Sequence, residues 1–240
     1  MRFITVGTSC GFPLPGRKCE CNCLEINGSL YFFDAGADIS EAVVELGYKF
    51  KDVKAVFVTH SHADHMLGVS HFVEICSWWE KSSDTAFYLP TEKCVDYLCN
   101  MQESLCSVPI NPNQTFHVYR DGEVYRDENI TVTAYPSSHI KDAHSLLVEA
   151  EGKRILITGD LDRYMESLTP TAYTQPHDII LTECAHFPES VVLERFPRLN
   201  AKRLLITHVG LDVPVAKLEK WIEDGKIFGE ICNDYDEYEL

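Results

Sequence analysis

Short runs of β-branched and aromatic residues alternate along the chain with stretches whose apolar positions recur at helical spacing. The runs predict strands at residues 2–6, 23–27, 30–33, 53–59, 130–135, 146–150, 154–158, 178–182 and 203–207. The helical spacing predicts helices at about 40–46, 65–79, 91–103, 188–195 and 215–224, with Ser40 and Thr91 as start signals. Asn27-Gly28 and Glu151-Gly152-Lys153 signal tight reversals, so some strand pairs are antiparallel and the sheets are mixed. The whole reads as an α/β protein. No repeat, low-complexity tract or long linker divides it, and one domain over residues 1–240 is expected. The acidic, Tyr-rich stretch 233–240 is expected to be a solvated tail.

Composition narrows the function classes. With 45% hydrophobic and 24% charged residues the chain is globular in character, not disordered or fibrous. Lys and Arg number 21 against 37 Asp and Glu, a formal net charge of -16. Such a surface repels polyanions except at a local positive site, which argues against DNA, long RNA and acidic membranes as partners. No uninterrupted apolar window is long enough for a membrane span. The start, MRFITVGTSCGFPLPG, reads as a strand running into a Gly/Pro loop and lacks the layout of a signal peptide, so a cytoplasmic location is expected. Ten Cys spread over 240 residues without that signal read as reduced thiols, with Cys76, Cys94, Cys99 and Cys106 as small buried hydrophobes in helical stretches.

The segment that carries chemistry is Thr59-His60-Ser61-His62-Ala63-Asp64-His65. An apolar strand delivers two His two residues apart, able to point the same way from an extended loop, and Asp64 and His65 follow at a helix start. With 10 His in the chain, such a cluster arises by chance on the order of a few times in a thousand. Three further apolar runs end on a potential ligand: His139, Asp160 and His208. Together they place polar groups along one edge of the sheets, where an open α/β fold builds its site.

In these motifs, with Asp34-Ala35-Gly36 after an early strand, the chain resembles the metallo-β-lactamase-fold hydrolases, over nearly its whole length and in the same order. The resemblance implies a four-layered αββα sandwich of two mixed β-sheets flanked by helices. It also implies a dinuclear metal centre: His60, His62 and His139 on one ion, Asp64, His65 and His208 on the other, and Asp160 bridging. Asp34 is implied as an acid behind the ligands that orients an imidazole. Two divalent ions are expected, with Zn²⁺ best suited to the ligand set and Mn²⁺ or Fe²⁺ open. Such a pair supplies hydroxide at neutral pH and makes hydrolysis the expected reaction. Redox members of the fold carry an acid where this chain has His62.

Glu183-Cys184-Ala185-His186 resembles a segment of the ribonuclease Z and cyclic phosphodiesterase branch, which implies His186 as general acid and Glu183 as its orienting partner. The competing reading is that both merely close a strand end. His139 follows its strand directly and is preferred over His144 as ligand. His144 then faces substrate or caps the loop, and Lys141 either adds positive charge for substrate or is solvated. The protruding Gly- and basic-rich arm with which ribonuclease Z proteins grip tRNA has no counterpart in the sequence, so a small-molecule substrate is expected. The favoured function is metal-dependent hydrolysis of a small phosphodiester, cyclic ones included. Carboxylic ester, thioester or lactone hydrolysis on the same scaffold is the alternative, and a catalytically idle metal-binding protein a third. Cys19, Cys21 and Cys23 resemble the Cys-rich loop of phosphonate-pathway phosphodiesterases, and free thiols are favoured there over a structural zinc. Trp78 and Trp79 can face a pocket or a homodimer interface, with core packing the commoner fate. His71, His117 and His177 have no motif context.

Overall fold

In the computed structural model every residue is described except Pro13, Ser107 and Leu211, and the side chains of Leu105 and Cys106, so the reading of Cys106 as buried lies outside the described residues. The strands are β1 (Arg2–Gly7), β2 (Cys21–Ile26), β3 (Ser29–Ala35), β4 (Val53–Phe57), β5 (Ala86–Leu89), β6 (Thr115–Val118), β7 (Gly122–Arg126), β8 (Thr131–Ser137), β9 (Ala143–Ala150), β10 (Lys153–Ile157), β11 (His177–Cys184), β12 (Ala201–Val209), β13 (Glu230–Ile231) and β14 (Asp236–Glu239). The helices are α1 (Ile39–Glu45), α2 (Ala63–Met66), α3 (Gly68–Trp78), α4 (Glu92–Met101), α5 (Thr171–Thr174), α6 (Glu189–Arg195) and α7 (Val215–Glu223).

The strands form two seven-stranded sheets, ordered β14-β1-β2-β3-β4-β5-β6 and β13-β12-β11-β10-β9-β8-β7. Each is mixed in the same way. β14, β1, β2 and β3 pair antiparallel and β3 to β6 parallel, while β7 to β10 pair antiparallel and β10 to β13 parallel. Both expected hairpins are present: Asn27 and Gly28 take φ of 53° and 78°, and Glu151 and Gly152 take 48° and 74°, the left-handed pairs that a tight hairpin needs.

Period two in the strands explains the layers. Phe3, Tyr31, Phe33, Phe57, Ile155, Ile157, Ile179 and Leu181 meet between the sheets. Their neighbours in sequence, Ile4, Leu30, Phe32 and Val56, turn outward under α1, α3 and α4. Leu156, Ile180, Leu204 and Ile206 do the same under the helices of the second sheet. Both faces of each sheet are therefore apolar, and helices must cover the outer ones. The result is the αββα sandwich of two mixed sheets that the resemblance implied.

Several expectations are corrected. The stretch 65–79 is two helices, α2 and α3, re-aimed at Leu67, where Gly68 passes so close to the Ala37 carbonyl that a Cβ there would lie 1.9 Å from it. Asp38, not Ser40, caps α1 by accepting from the Ser40 backbone N–H at 2.7 Å. Trp78 and Trp79 are 46% and 70% exposed, while Phe72, Val73 and Cys76 of the same stretch make the core contacts. Cys21 and Cys23, by contrast, are the free thiols that were favoured over a structural zinc, and they pack in the apolar layer outside the first sheet. Stretch 233–240 is no loose tail: β14 pairs with β1, and Tyr238, 5% exposed, fills the space between the sheets. Alternation of Tyr238 with acidic neighbours is an edge-strand pattern, hidden by the charge of the segment.

Tyr238→Ala is expected to destabilise the chain by about 3 kcal/mol, as for other buried aromatic truncations. A solvated tail would leave the urea midpoint unchanged.

Candidate metal centre

Every sequence-predicted ligand lies at the C-terminal end of a strand, in the turn that follows or, for Asp64 and His65, in the short helix that the turn enters. The loop after β4 carries His60 and His62 and runs into α2 with Asp64 and His65. His139 follows β8, Asp160 follows β10, and His208 lies near the end of β12. Because β8 and β10 are each antiparallel to β9, their ends meet on one edge, and β11 and β12 run parallel to β10.

Two donor groups converge there. In the first, His62 Nδ1 lies 3.0 Å from His60 Nε2 and 3.2 Å from His139 Nε2. Asp160 Oδ2 stands 3.6 and 3.5 Å from those two Nε2 atoms. In the second, His208 Nε2 is 3.2 Å from His65 Nε2 and 3.1 Å from Asp64 Oδ2. Asp160 Oδ1, the other oxygen of the same carboxylate, is 3.4 Å from His65 Nε2. One buried carboxylate thus faces both groups, one oxygen to each.

The tautomers follow from the hydrogen bonds. Asp34 accepts from the Thr59 backbone N–H at 2.7 Å, from Thr59 Oγ1 at 2.9 Å and from His65 Nδ1 at 2.8 Å. A carboxylate only accepts, so His65 carries a proton on Nδ1 and turns Nε2 to the second group. Thr59 has given its hydroxyl proton to Asp34, so the 3.1 Å contact to His60 is a donation from His60 Nδ1, which frees Nε2. Lone pairs about 3 Å apart repel unless something positive lies between them. Ligand atoms about 2.0 to 2.1 Å from a tetrahedral ion would sit about 3.3 Å apart. The buried Asp160 Oδ1 and His208 Nδ1 also have no hydrogen-bond partner among the described residues. The donor set therefore fits a divalent metal in each group.

Burial, with repulsion from His65, His139 and His62, holds the His60 imidazole neutral, down to about 2. Without an ion, Asp160 and Asp34 push His65 well above the ordinary range, against its burial, so its Nε2 takes the proton whose place a metal would fill. Burial works against the Asp64 carboxylate, yet His208 and His65 hold it down to about 2.

The backbone is shaped around the centre. Asp34 and His208 take φ of 58° and 47°, a left-handed conformation uncommon for non-glycine residues and concentrated at functional sites. Gly36 is required by close approach: a Cβ there would lie 1.7 Å from the Asp64 carbonyl oxygen.

His186 and Glu183 join the same edge. Glu183 Oε1 accepts from Leu161 N at 2.8 Å. Its Oε2 accepts from the backbone N–H groups of Ala185 and His186 at 3.1 Å each, and from His186 Nδ1 at 2.8 Å. Asp160, Glu183, His186 and His208 also lie close enough to hold an ion. Glu183, however, already accepts four bonds, so this group is a hydrogen-bonded network with His186 Nε2 as its free nitrogen. Burial disfavours the His186 cation, but Glu183 and Asp160 outweigh it and raise the group to about 9.

His144 and Lys141 do not join. His144 Nε2 lies 3.1 Å from Asp121 and its ring packs on Tyr119, away from both donor groups. The Lys141 side chain is 92% exposed, 4.0 Å from Asp142. His71 pairs with Asp38, His117 stacks on Tyr88, and His177 is buried at the start of β11.

The sequence reading missed Glu20. It is buried, accepts from Asn22 Nδ2 at 2.7 Å and from Thr207 Oγ1 at 2.8 Å, and so braces the residue before His208. The clue was period two in 19–23: the thiols Cys21 and Cys23 take the outer face, and Glu20 and Asn22 the other.

The model of the family described as Anti-Pycsar protein Apyc1 matches residues 1–201. The chain belongs to this family. Among curated relatives, the ribonuclease Z of Nitrosopumilus maritimus (strain SCM1) is 24% identical over 229 residues, 93% of this chain and 74% of the relative. That of Ignicoccus hospitalis is 26% identical over 163 residues, 68% of this chain but 53% of its own length. The solved structures of three proteins share the fold: the metallo-β-lactamase fold protein YhfI from Bacillus subtilis (TM-score 0.80, 15% identity, 100% and 98% of the two chains), human tRNase Z, short form (0.75, 17%, 100% and 99%), and a diphosphatase from the PhnP family (0.74, 17%, 100% and 98%). The chain is thus a metal-dependent hydrolase of the metallo-β-lactamase fold, near the ribonuclease Z branch. Among the described residues no helix is long and apolar enough to cross a membrane.

Burial raises Glu20 from its ordinary 4.5 to about 7, against His208, His65 and its two hydrogen bonds. Between those values the folded metal-free chain holds a proton that the unfolded chain releases, so this contribution is full at low pH and lost as pH rises through 7. The stability difference between Glu20→Gln and the parent is therefore expected to move in the variant's favour from pH 5 to pH 8 in urea titrations. A difference independent of pH would contradict this.

Proposed function

We propose that the chain hydrolyses a small phosphodiester, cyclic diesters included. The observation that carries this is the carboxylate of Asp160 facing two donor groups at once, with His186, held by Glu183, on the same edge. His60, His62 and His139 would hold one ion, Asp64, His65 and His208 the other, and Asp160 both. The His-rich set suits Zn²⁺, and its two carboxylates admit Mn²⁺ or Fe²⁺. When bound, such a pair acidifies water toward neutral pH and offsets the charge that develops on phosphorus-bound oxygens.

The chain's own residues do the rest. Asp34 and Thr59 hold the Nδ1 protons of His65 and His60 and turn each Nε2 toward its donor group. Glu183 holds the proton on His186 Nδ1 and orients the ring. His186 Nε2 then delivers its proton to the leaving oxygen as the P–O bond breaks. His186, raised to about 9 by Glu183 and Asp160, holds its proton at neutral pH, and bound ions would lower it toward the range in which a general acid works. The net charge of -16 favours a small substrate over a long polyanion. Relatives named ribonuclease Z and a diphosphatase of this fold support cleavage at phosphorus.

Metal-restored protein is expected to release p-nitrophenolate from bis(p-nitrophenyl) phosphate, and Asp64→Ala or His208→Ala to abolish turnover. His186→Ala should slow this diester about 100-fold. It should slow diphenyl phosphate further, because the poorer leaving group depends more on a proton, and p-nitrophenyl acetate much less. Equal losses on all three would remove the acid role. Turnover of the acetate alone would turn the reading to carboxylic esters, thioesters or lactones.

A further inference from the structure

Two cavities with no lining residue in common flank the donor groups. One, of about 360 Å³, is polar and includes His139, His186, Arg163 and Asp212. The other, of about 600 Å³, lies between α2 and α4 and is walled by Ser61, Met66, Leu67, Cys94, Tyr97 and Lys141. It borders the ligand loop, since its lining includes Ser61 and Ala63, which alternate in sequence with His60, His62 and Asp64. Leu67 and Tyr97 are 52% and 43% exposed, although most large apolar side chains of this chain are buried.

On the phosphodiester reading, which this inference rests on, His186 fixes the side on which the leaving oxygen departs, the polar cavity. The organic group that stays esterified to phosphorus must then lie elsewhere, and the second cavity borders the ligand loop. Its chemistry selects a flat, weakly polar group. Tyr97 offers a half-exposed ring face, Met66 a polarisable thioether and Leu67 an aliphatic surface. Lys141 also lines this cavity and adds a positive charge to it, with only a 4.0 Å contact to Asp142 to give up.

We propose that the cavity between α2 and α4 binds the group retained on phosphorus and selects an aromatic ring over a small alkyl group. Helix α4 thereby acts as a specificity wall of the site.

Phenyl p-nitrophenyl phosphate and methyl p-nitrophenyl phosphate test this, since both lose the same leaving group and differ only in what remains. After division by the ratio for alkaline hydrolysis, kcat/KM is expected to favour the phenyl diester about ten-fold, the discrimination that burial of one ring supplies. Tyr97→Ala and, separately, Leu67→Ser should each lower that ratio several-fold, mainly through KM for the phenyl diester. A corrected ratio near one, or one that survives both substitutions, overturns the proposal while leaving phosphodiester hydrolysis intact. If neither diester is cleaved, the phosphodiester reading fails and takes this proposal with it.

Discussion

A buried carboxylate that, among the described residues, accepts from no N–H or O–H on one of its oxygens is the constraint on which the site depends. Asp160 is 2% exposed, and the groups around it are imidazoles of five different histidines. Burying such a charge without compensation is costly, and mutual attraction with imidazolium groups can offset it only where their protons point inward. Here the bonds to Thr59 and Asp34 take up the Nδ1 protons of His60 and His65, which leaves a lone pair on His60 Nε2 and turns His65 Nε2 inward. Cations between the donors would resolve that conflict, and each oxygen of Asp160 faces one donor group.

The surrounding architecture serves this geometry. Two sheets buried on both faces leave their polar termini along one edge. The parallel half of the first sheet brings β4 to that edge, and in the second sheet β10, β11 and β12 run parallel to one another while β8 joins them because β8 and β10 are both antiparallel to β9. Left-handed backbone at Asp34 and His208 is held by the bonds that Asp34 accepts and by the Glu20 brace on Thr207. Strain at these positions is tolerated because neighbouring strands determine their path. Glu183, with four donors of its own, is committed to orienting His186 and the turn after β11, whereas Asp160 turns one oxygen to each donor group.

The legibility of this arrangement in the sequence varied with the kind of signal. His60, His62, Asp64 and His65 lie within six residues, and the strands leading to His139, Asp160 and His208 are strongly apolar, so these residues were readable and the structure brings them together. Asp34 was readable through Asp34-Ala35-Gly36. Glu20 was not, because its role comes from β12, far away in sequence. The strands β5, β6 and β7 were missed because they are short, and β6 and β7 are also partly exposed, so period two is weak there. β14 was hidden by its acidic residues. Trp78 and Trp79 read as core because composition does not tell which face of a helix lies against a sheet. His144 read as a neighbour of the site because it is close to His139 in sequence, but β9 turns it toward Asp121.

The most direct test of the account is the number of ions held. Metal-stripped protein, dialysed against Zn²⁺ and assayed by elemental analysis, is expected to bind two ions per chain, with Asp160→Ala weakening both. One ion or fewer per parent chain, or two ions retained at full affinity without the Asp160 carboxylate, would contradict the claim that this residue joins two metal sites.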